Sequence, residues 1–266
     1  MDLGLKGKVA VVCAASRGLG RAVALELAAE GANVVMCARG EKALTTARDE
    51  VAEVAKASKA KTLAVVADVS TLDGLDKIAT QAVERFGRVD ILLNNAGGPP
   101  SGPFEKHNWV EWSAAVDLTL RSAVELTRRL LPGMRERRWG RILNVTSIAS
   151  KQPVDGLMLS NSLRAAVTGW ARTLANEVAR DGVTVNNVLP GYTRTERVQE
   201  LNEATAAREG LTVEEVARKT EGQIPMRRMA EPNEFAAAVA FLASQRASYI
   251  TGQSIAVDGG WIRSLL

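Results

Sequence analysis

A glycine-rich turn between an apolar run and a helical stretch is the first segment whose residue types suggest chemistry. The run Val9 to Ala15 leads into the helix through Cys13-Ala14-Ala15-Ser16-Arg17-Gly18-Leu19-Gly20. Free N–H groups at a helix N-terminus and the helix dipole attract a phosphate, and glycine lets that phosphate approach closely. The turn therefore predicts a nucleotide phosphate site, although a tight strand–helix connection without a ligand gives the same pattern.

A basic residue stands where the second strand of a dinucleotide site would end. Arg39 directly follows the apolar run Val34 to Ala38. An acidic residue at this place binds the ribose 2′-hydroxyl of NAD, whereas a basic residue accommodates the 2′-phosphate of NADP. Arg39 therefore favours NADP, with Arg17 as a second positive charge, although either arginine alone could equally be solvated.

The elements that would position this site alternate along the whole chain. Short apolar runs predict seven strands, at Val9–Ala15, Val34–Ala38, Thr62–Val69, Ile91–Asn95, Arg141–Ser147, Thr184–Leu189 and Ser254–Val257. Longer amphipathic stretches predict helices near 19–30, 41–57, 71–87, 108–138, 157–181 and 232–244. The alternation predicts an α/β fold of the Rossmann type, with a doubly wound, seven-stranded parallel sheet in a single domain over residues 1–266.

Composition and charge argue against other classes of protein. The chain has 266 residues, 46% of them apolar, which is enough for one domain with its own core. The formal net charge of +4 is spread along the chain. The one dense basic stretch, Arg135 to Arg141, is typical of a solvated helix end, so we expect no nucleic-acid partner.

The cysteines and the apolar runs bear on metal sites and location. Cys13 and Cys37 lie inside apolar runs without metal-ligand spacing, which predicts buried free thiols and no metal site. No apolar run is long enough for a membrane helix, and the N-terminus lacks the apolar core of a signal peptide. We therefore expect a cytoplasmic protein without a membrane partner.

The stretch from Thr193 to Arg228 does not fit the alternation. It is polar, carries the capping-box pattern Thr212-x-x-Glu215 and lies between the last two predicted strands. Two mobile helices that form a lid over a cleft would fit these features, and so would an ordinary surface excursion. Residues 193–228 are called the lid segment below.

Further motifs follow the glycine-rich turn in a fixed order, and the pattern that they complete covers the chain from about Lys6 to Trp261. They are Asp68-Val69, Asn94-Asn95-Ala96-Gly97, Pro190-Gly191, Ile250-Thr251-Gly252-Gln253 and Val257-Asp258-Gly259-Gly260. Together they resemble the short-chain dehydrogenase/reductase family, whose turn has the spacing T-G-x-x-x-G-x-G. The resemblance implies NADP as cofactor and a small-molecule carbonyl or hydroxyl compound as substrate.

The same resemblance implies a set of cofactor-binding residues. They are Ala14, Ser16, Arg17, Gly18, Leu19, Gly20, Arg39, Asp68, Val69, Asn95, Ala96, Gly97, Arg164, Pro190, Gly191 and Thr193. The turn departs from the family at Cys13-Ala14, where the family has Thr-Gly. Alanine tolerates a positive φ poorly and its methyl group narrows the space under the pyrophosphate, so we expect weakened rather than abolished dinucleotide binding.

The catalytic positions depart further from the family, which uses a serine, a Tyr-x-x-x-Lys pair and an asparagine. Ser147 matches the serine, unless its hydroxyl only bonds the backbone at a strand end. Ser160 and Arg164 replace the tyrosine and the lysine, and Asp117 replaces the asparagine. An alkyl hydroxyl is a poor proton source at neutral pH, so Ser160 can only donate a hydrogen bond. Arg164 can bind the nicotinamide ribose and supply positive charge but cannot relay a proton.

Three other groups have alternative interpretations. Asp117 could hold a relay water or simply bond a backbone N–H. Tyr192, beside the expected nicotinamide, and His107, after the loop 97–106, could each act as the acid. Packing in the lid for Tyr192, and a surface position before a helix for His107, are the commoner roles of such residues.

The sequence thus predicts an NADP-dependent oxidoreductase, similar to the β-ketoacyl-carrier-protein-reductase-like subgroup of the family, in which the nucleotide motif and catalytic tetrad match imperfectly. The alternative is a non-redox member of the same fold, either a dinucleotide-binding sensor or an isomerase or lyase that polarises a carbonyl with Ser147 and Arg164. Because the family generally pairs two long central helices, here 108–138 and 157–181, the resemblance also implies a homotetramer or homodimer.

Overall fold

Seven parallel strands form one sheet at the centre of the protein. The computed structural model describes residues 2–265, so Met1 and Leu266, the ends of the predicted domain 1–266, lie outside the described residues. The strands are β1 (Val9–Cys13), β2 (Asn33–Ala38), β3 (Thr62–Val66), β4 (Ile91–Asn94), β5 (Gly140–Val145), β6 (Val183–Pro190) and β7 (Ser254–Val257). Their order is β3-β2-β1-β4-β5-β6-β7. The predicted single-domain, doubly wound Rossmann fold is confirmed.

Nine α-helices connect or flank these strands in the described residues. They are α1 (Gly18–Ala29), α2 (Glu41–Ser58), α3 (Leu72–Phe86), α4 (Trp109–Val116), α5 (Ser122–Glu136), α6 (Met158–Val178), α7 (Glu196–Glu209), α8 (Val213–Gln223) and α9 (Pro232–Ala243). Helices α7 and α8 lie within the lid segment, where two helices were predicted.

Both faces of the sheet are buried, because successive side chains of a strand point to opposite faces. In β1, Ala10 and Val12 contribute to the core that α1, α2 and α9 cover. Val9 and Val11 contribute to the core under α3, α5 and α6. Covering both faces explains why the strands are almost continuously apolar.

A polar row crosses the C-terminal half of this apolar sheet. Asn94, Asn144, Asn187 and Ser254 are in-register neighbours on β4, β5, β6 and β7. Asn94 donates to Asn144 over 2.9 Å, and Asn144 donates to Asn187 over 3.1 Å. Asn187 in turn donates to Ser254 over 3.1 Å. Each buried amide therefore has a hydrogen-bond partner inside the sheet, as buried polar groups require.

The predicted helix 108–138 is interrupted. Helix α4 ends at Val116, and a π-helical turn over Asp117–Arg121 joins it to α5. A π turn adds a residue to one helical turn, rotates the side chains that follow and is frequent at functional sites. Apolar periodicity does not reveal such a local insertion, so the prediction of one regular helix is wrong at this point.

The basic stretch Arg135 to Arg141 is not one solvated helix end, which corrects the interpretation of the sequence. Helix α5 ends at Glu136, inside this stretch. Arg141 belongs to β5, and the residue is 2% exposed there. The Arg141 guanidinium donates to the carbonyl of Ser244 and lies 4.4 Å from the ring of Trp139. Burial lowers the pKa of Arg141 to about 10. Carbonyl acceptors and an aromatic face hold this charge inside the protein.

Further observations concern the cysteines, membrane-spanning helices and metal sites. Cys13 and Cys37 are buried free thiols, as predicted, and stand in register on β1 and β2. Among residues 2–265, no helix has the length and apolar character needed to cross a membrane. Within the same range, no three His, Cys, Asp or Glu side chains are grouped as a metal site would need.

Candidate functional site

The glycine-rich turn joins the end of β1 to the start of α1 at the carboxyl edge of the sheet. Arg17 is the N-cap residue of α1, and its side chain makes no capping hydrogen bond. The first N–H groups of the helix are therefore left for another acceptor. A methyl group on Gly20 would lie 2.2 Å from the carbonyl oxygen of Ala14, so only glycine lets turn and helix pack this closely. An uncapped helix N-terminus beneath a close turn suits a phosphate group.

Ala14 adopts the left-handed backbone conformation that the sequence analysis considered, with φ of +51°. Gly18 in the same turn has φ of +53°. For a residue with a Cβ, this conformation costs roughly 1–2 kcal/mol. The Ala14 substitution therefore strains the turn but leaves its shape in place.

The residues predicted to contact the adenosine half of the cofactor lie at neighbouring strand ends. Arg39 directly follows β2 and is exposed. Asp68 follows β3, and its carboxylate accepts hydrogen bonds from the N–H and the hydroxyl of Ser70, at 2.9 and 2.8 Å. Ser16 is half-buried in the turn, and Leu19 packs against the core beside α1. The carboxyl edge of the sheet thus carries this whole set.

Four of the predicted cofactor residues line one small cavity at that edge, namely Val69, Asn95, Ala96 and Arg164. Asn95 donates to the carbonyl of Cys13 over 3.2 Å and thereby ties the end of β4 to β1. Gly97 follows and is exposed. The structure therefore brings the loop after β4 and α6 together, and the binding of a cofactor by these residues stays a prediction.

Two predicted catalytic serines lie on either side of the connection between β5 and α6. Ser147 is the N-cap of the 3-10 turn Ile148–Ser150, and its Oγ accepts the N–H of Ala149 over 3.1 Å. This bond matches the strand-end alternative, yet it leaves the hydroxyl hydrogen for another acceptor. Ser160 lies in the first turn of α6 and is half-buried.

Arg164 lies one turn further along α6 and is 8% exposed. Its guanidinium donates to the carbonyl of Val145 and, over 3.4 Å, to that of Ala96. Its Nε has no hydrogen-bond partner among the described residues. Burial, and secondarily the charge of Arg197, lower the pKa of Arg164 to about 10. Arg164 thus places a positive charge at the ends of β4 and β5.

Asp117 is the first residue of the π turn. Its carboxylate forms an ion pair with Arg121 at 2.8 Å, one helical turn away. The cavity beside Arg164 is lined by Thr119 from the same turn and not by Asp117. The structure therefore does not bring Asp117 into that cavity, and its relay role stays a prediction.

Tyr192 packs against the C-terminal segment. Its ring meets that of Trp261 edge to face, with 6.0 Å between the ring centroids. Burial raises the pKa of the Tyr192 phenol, because the charged phenolate is poorly solvated there. A raised pKa makes this phenol a weaker acid, which favours the packing interpretation over the catalytic one.

His107 is buried, so its interpretation as a surface residue is wrong. Its side chain is 0% exposed, and neither ring nitrogen has a hydrogen-bond partner among the described residues. The carboxylate of Glu111 lies 3.7 Å from Nδ1. The loop before it folds back over the ring, so that a methyl group on Gly102 would lie 3.0 Å from Nε2. This loop is held by an isolated bridge between Gly102 and the distant Leu157, which leaves no signal in the sequence around His107.

The remaining predicted cofactor residues lie where β6 meets the lid segment. Pro190 is the last residue of β6, and the N–H of Gly191 donates to the carbonyl of Val257 over 3.0 Å. Thr193 is buried and pairs with Ala230 in an isolated bridge. This bridge joins the first residue of the lid segment to a residue just beyond its other end.

Helix α7 of the lid segment lies against the glycine-rich turn at the carboxyl edge of the sheet, and its action as a lid stays a prediction. A methyl group on Gly18 would lie 3.5 Å from Oε2 of Glu196, and the Glu200 carboxylate lies 3.8 Å from the Arg17 guanidinium. Arg197 donates to the carbonyl of Pro99 over 3.1 Å. Sequence reasoning missed Arg197. Its position just after the start of the lid segment was the one available signal.

Comparison with known proteins places these features in a family. The profile of the family described as enoyl-(acyl carrier protein) reductase matches residues 13–262. The 3-oxoacyl-[acyl-carrier-protein] reductase FabG of Vibrio cholerae is 35% identical over 97% of this chain and 98% of its own. The acetoacetyl-CoA reductase of Allochromatium vinosum is 34% identical over 95% and 98% of the two chains.

A solved structure agrees with these sequence matches. The L-sorbose reductase of Gluconobacter frateurii, in complex with NADPH and L-sorbose, superposes with a TM-score of 0.93. It is 34% identical, and the match covers 100% of both chains. The predicted resemblance is confirmed: this chain belongs to the short-chain dehydrogenase/reductase family of oxidoreductases.

Proposed function

We propose that the protein uses NADPH to reduce the carbonyl group of a small molecule. The observation that carries this proposal is the uncapped N-terminus of α1 under the close turn at Gly20, on the same sheet edge as Arg39 and Ser147. The relatives named above are reductases, and one of them is solved with NADPH. They support NADP(H) as the cofactor and a small-molecule carbonyl or hydroxyl compound as the substrate.

The cofactor site is assigned to residues of the turn and the strand ends. The first N–H groups of α1, with Ser16 to Gly20, would hold the pyrophosphate, and Arg39 would hold the 2′-phosphate. Asp68 and Val69 would border the adenine, and the segment Asn95 to Gly97 the ribose of the nicotinamide. Ala14, Pro190, Gly191 and Thr193 complete the surroundings. When bound, NADPH supplies the hydride.

The catalytic roles follow from what each side chain can donate. Ser147 donates its hydroxyl hydrogen to the substrate carbonyl oxygen and so polarises the carbonyl. Ser160 provides a second hydroxyl donor on α6. The buried charge of Arg164 stabilises negative charge that develops on that oxygen, since a low local dielectric strengthens the interaction. None of these groups is an acid at neutral pH, so we expect proton delivery to limit turnover.

The experiment follows the hydride itself. Purified protein is titrated with NADPH by fluorescence and then incubated with NADPH deuterated at the transferred position and with ethyl 3-oxobutanoate. We expect deuterium in the hydroxy product, measured by mass spectrometry, and a lower rate in Ser147→Ala. Ser248→Ala, an exposed serine far along the chain, is the matched control. NADPH binding without deuterium transfer across a panel of ketones would contradict carbonyl reduction.

One observation favours the non-redox alternative. Ser160 offers no phenol, and Arg164 bonds backbone carbonyls at the strand ends. A dinucleotide-binding sensor needs neither an acid nor a relay, and an isomerase or lyase would need only the polarising donors. The deuterium experiment separates these cases, because only reduction transfers the label.

We also propose that the protein works in the cytoplasm as a homodimer or homotetramer. The exposed face of α6 carries the small residues Ala165, Ala166 and Gly169, which would let a second helix approach closely. Leu126 and Val167, by contrast, are buried in the core of the single chain and need no partner. Light scattering that gives the monomer mass at micromolar concentration would refute the assembly.

A further inference from the structure

Two arginine side chains converge on the loop that follows β4. Arg164 of α6 donates to the carbonyl of Ala96 over 3.4 Å, and Arg197 of α7 donates to the carbonyl of Pro99 over 3.1 Å. A methyl group on Gly98, between these two, would lie 2.9 Å from Nη2 of Arg197. The Arg197 guanidinium therefore lies directly against the loop backbone. One short stretch of chain thus receives two positive charges, one from the sheet side and one from the lid segment.

These charges are poorly matched by carboxylates. Within the described residues, Arg197 has one ion-pair partner, the Glu200 carboxylate at 3.5 Å. Glu200 also pairs with Arg17, at 3.8 Å, so its single negative charge is shared between two arginines. Arg164 has no ion pair within residues 2–265, and its buried Nε has no hydrogen-bond partner there. Arg197 contributes to the lowered pKa of Arg164, which shows that the two charges repel each other. Such an arrangement favours an added anion.

Arg164 lies beside the proposed catalytic serines. Arg164 also donates to the carbonyl of Val145, the last residue of β5, and Ser147 follows just beyond that residue. Ser160 precedes Arg164 by one turn of α6. The loop after β4 also reaches the residue before α6, through an isolated bridge between Gly102 and Leu157, and Arg197 donates to the same loop at Pro99. A substrate whose carbonyl bonds Ser147 would therefore have this loop as a neighbour.

We propose that Arg197 determines specificity by binding an anionic substituent, a carboxylate or a phosphate, on the carbonyl substrate. This inference rests on the proposed function. The planar guanidinium can donate two parallel N–H groups to the two oxygens of a carboxylate or phosphate. A single backbone carbonyl has one oxygen and does not engage this pair of donors. The buried charge of Arg164 reinforces the field behind Arg197. The substrate class is a keto acid or a phosphorylated ketone.

The test compares charged and neutral versions of the same carbonyl compound. The carboxylate arm uses 3-oxobutanoate and its ethyl ester, and the phosphate arm uses dihydroxyacetone phosphate and dihydroxyacetone. We expect the wild type to prefer the anion in at least one arm. Arg197→Gln should lower that preference, measured as a ratio of kcat/KM values, by about tenfold to hundredfold, as for loss of a charge-assisted hydrogen bond. The arm with the larger fall identifies the substituent.

The control is Arg218→Gln, which removes the same charge from an exposed position on α8 of the lid segment. It should leave both ratios unchanged. Equal kcat/KM for anion and neutral compound in both arms of the wild type would overturn the inference. The inference would also be overturned if Arg197→Gln left the anion preference unchanged and raised the NADPH dissociation constant. Arg197 would then serve the cofactor and not the substrate.

Failure of the proposed function would be visible separately. If none of the four compounds is reduced, calorimetry measures their binding to the protein with and without NADPH. Selective binding of an anion that Arg197→Gln weakens and Arg218→Gln retains would support the anion site without reduction. Absence of selective binding in both conditions would overturn it. Reduction of the neutral compounds at equal or higher efficiency would keep the proposed function and reject the anion site.

Discussion

The nucleotide turn and the catalytic segment both depart from the family pattern, but the departures have different consequences. At the turn, Ala14 keeps the left-handed conformation with φ of +51°, so the N–H groups of α1 still face the same edge of the sheet. At the catalytic segment, Ser160 and Arg164 replace the groups that would carry the proton. Where a site is built from backbone N–H groups, a side-chain substitution adds strain but leaves those groups in place. Where a site is built from side chains, a substitution removes the atoms that would react.

The magnitudes separate the two departures further. A left-handed alanine costs roughly 1–2 kcal/mol. Loss of a positioned general acid removes about 10²–10⁴-fold in rate, and each factor of ten corresponds to about 1.4 kcal/mol. The change at the catalytic segment is therefore expected to have the larger free-energy effect. Variants that restore the family residues at each of the two places should show this difference.

The largest expected effect is the restoration of the acid and its relay together. Ser160→Tyr with Arg164→Lys should raise kcat for 3-oxoacyl esters by about 10²–10⁴-fold, because a phenol beside an ammonium can protonate the alkoxide. Ser160→Tyr alone should gain less, since the Arg164 guanidinium is held at the carbonyls of Val145 and Ala96. Steady-state kinetics measures the gain.

Thermal unfolding must accompany those kinetics, because a tyrosine is far larger than the serine that it replaces. A stable double variant with no gain in rate would contradict the prediction. A wild type that is already as fast as ordinary reductases, and that Ser160→Ala does not slow, would show that the proton comes from elsewhere. Tyr192→Phe would then be the next test.

The second effect tests whether the turn depends on its backbone. Gly20→Ala should weaken NADPH binding by about 100-fold or more and lower the unfolding temperature, because the added methyl group meets the Ala14 carbonyl at 2.2 Å. Fluorescence titration and thermal unfolding measure both quantities. Gly222→Ala is the matched control, since a methyl group there meets no atom within 4 Å. Unchanged NADPH affinity in Gly20→Ala would show that the turn is not the cofactor site.

The third effect concerns Arg39, the side chain proposed to bind the 2′-phosphate of the cofactor. Arg39→Asp should reverse a preference for NADPH over NADH, since a charge-assisted hydrogen bond to a phosphate contributes roughly 1.5–3 kcal/mol. The ratio of the two dissociation constants should change by at least tenfold. Equal dissociation constants in the wild type would refute selection of NADP.

The smallest effect removes the strain at the turn. Ala14→Gly should raise the free energy of unfolding by up to about 1 kcal/mol, since glycine relieves the left-handed strain but loses more entropy on folding. NADPH binding should tighten several-fold because the space under the pyrophosphate widens. Urea unfolding and cofactor titration measure the two effects. A decrease in both would mean that the Ala14 methyl group makes a favourable contact.

The fold was predictable because its signals are local. Apolar runs such as Val34 to Ala38 are uninterrupted and bounded by polar residues, and Gly18 and Gly20 mark the turn independently of the rest of the chain. The seven strands were located within a few residues for this reason. Positions of the nucleotide-site backbone follow directly from the strand ends.

Side-chain placement was less predictable, because it depends on partners distant in the sequence. Arg141 is buried through Ser244, and the loop over His107 is held at Gly102 by a bridge to the distant Leu157. The position of Arg197 depends on where the lid segment folds. Neither composition nor spacing near these residues contains those contacts. As to placement, the sequence therefore left open the non-local part of the candidate site.

The polar row has a consequence for how the sheet finds its alignment. Strands buried on both faces have no alternating pattern, so apolar packing alone penalises a one-residue slip only weakly. In β5 and β6 a one-residue slip that pairs Asn144 with Val188 would remove the amide–amide contact with Asn187 and leave buried amide groups unpaired. An unpaired buried amide costs about 1–3 kcal/mol. The row therefore favours the native register as the strands assemble. A single Asn187→Leu exchange should leave the folded state compact but make sheets with a shifted register more accessible during refolding.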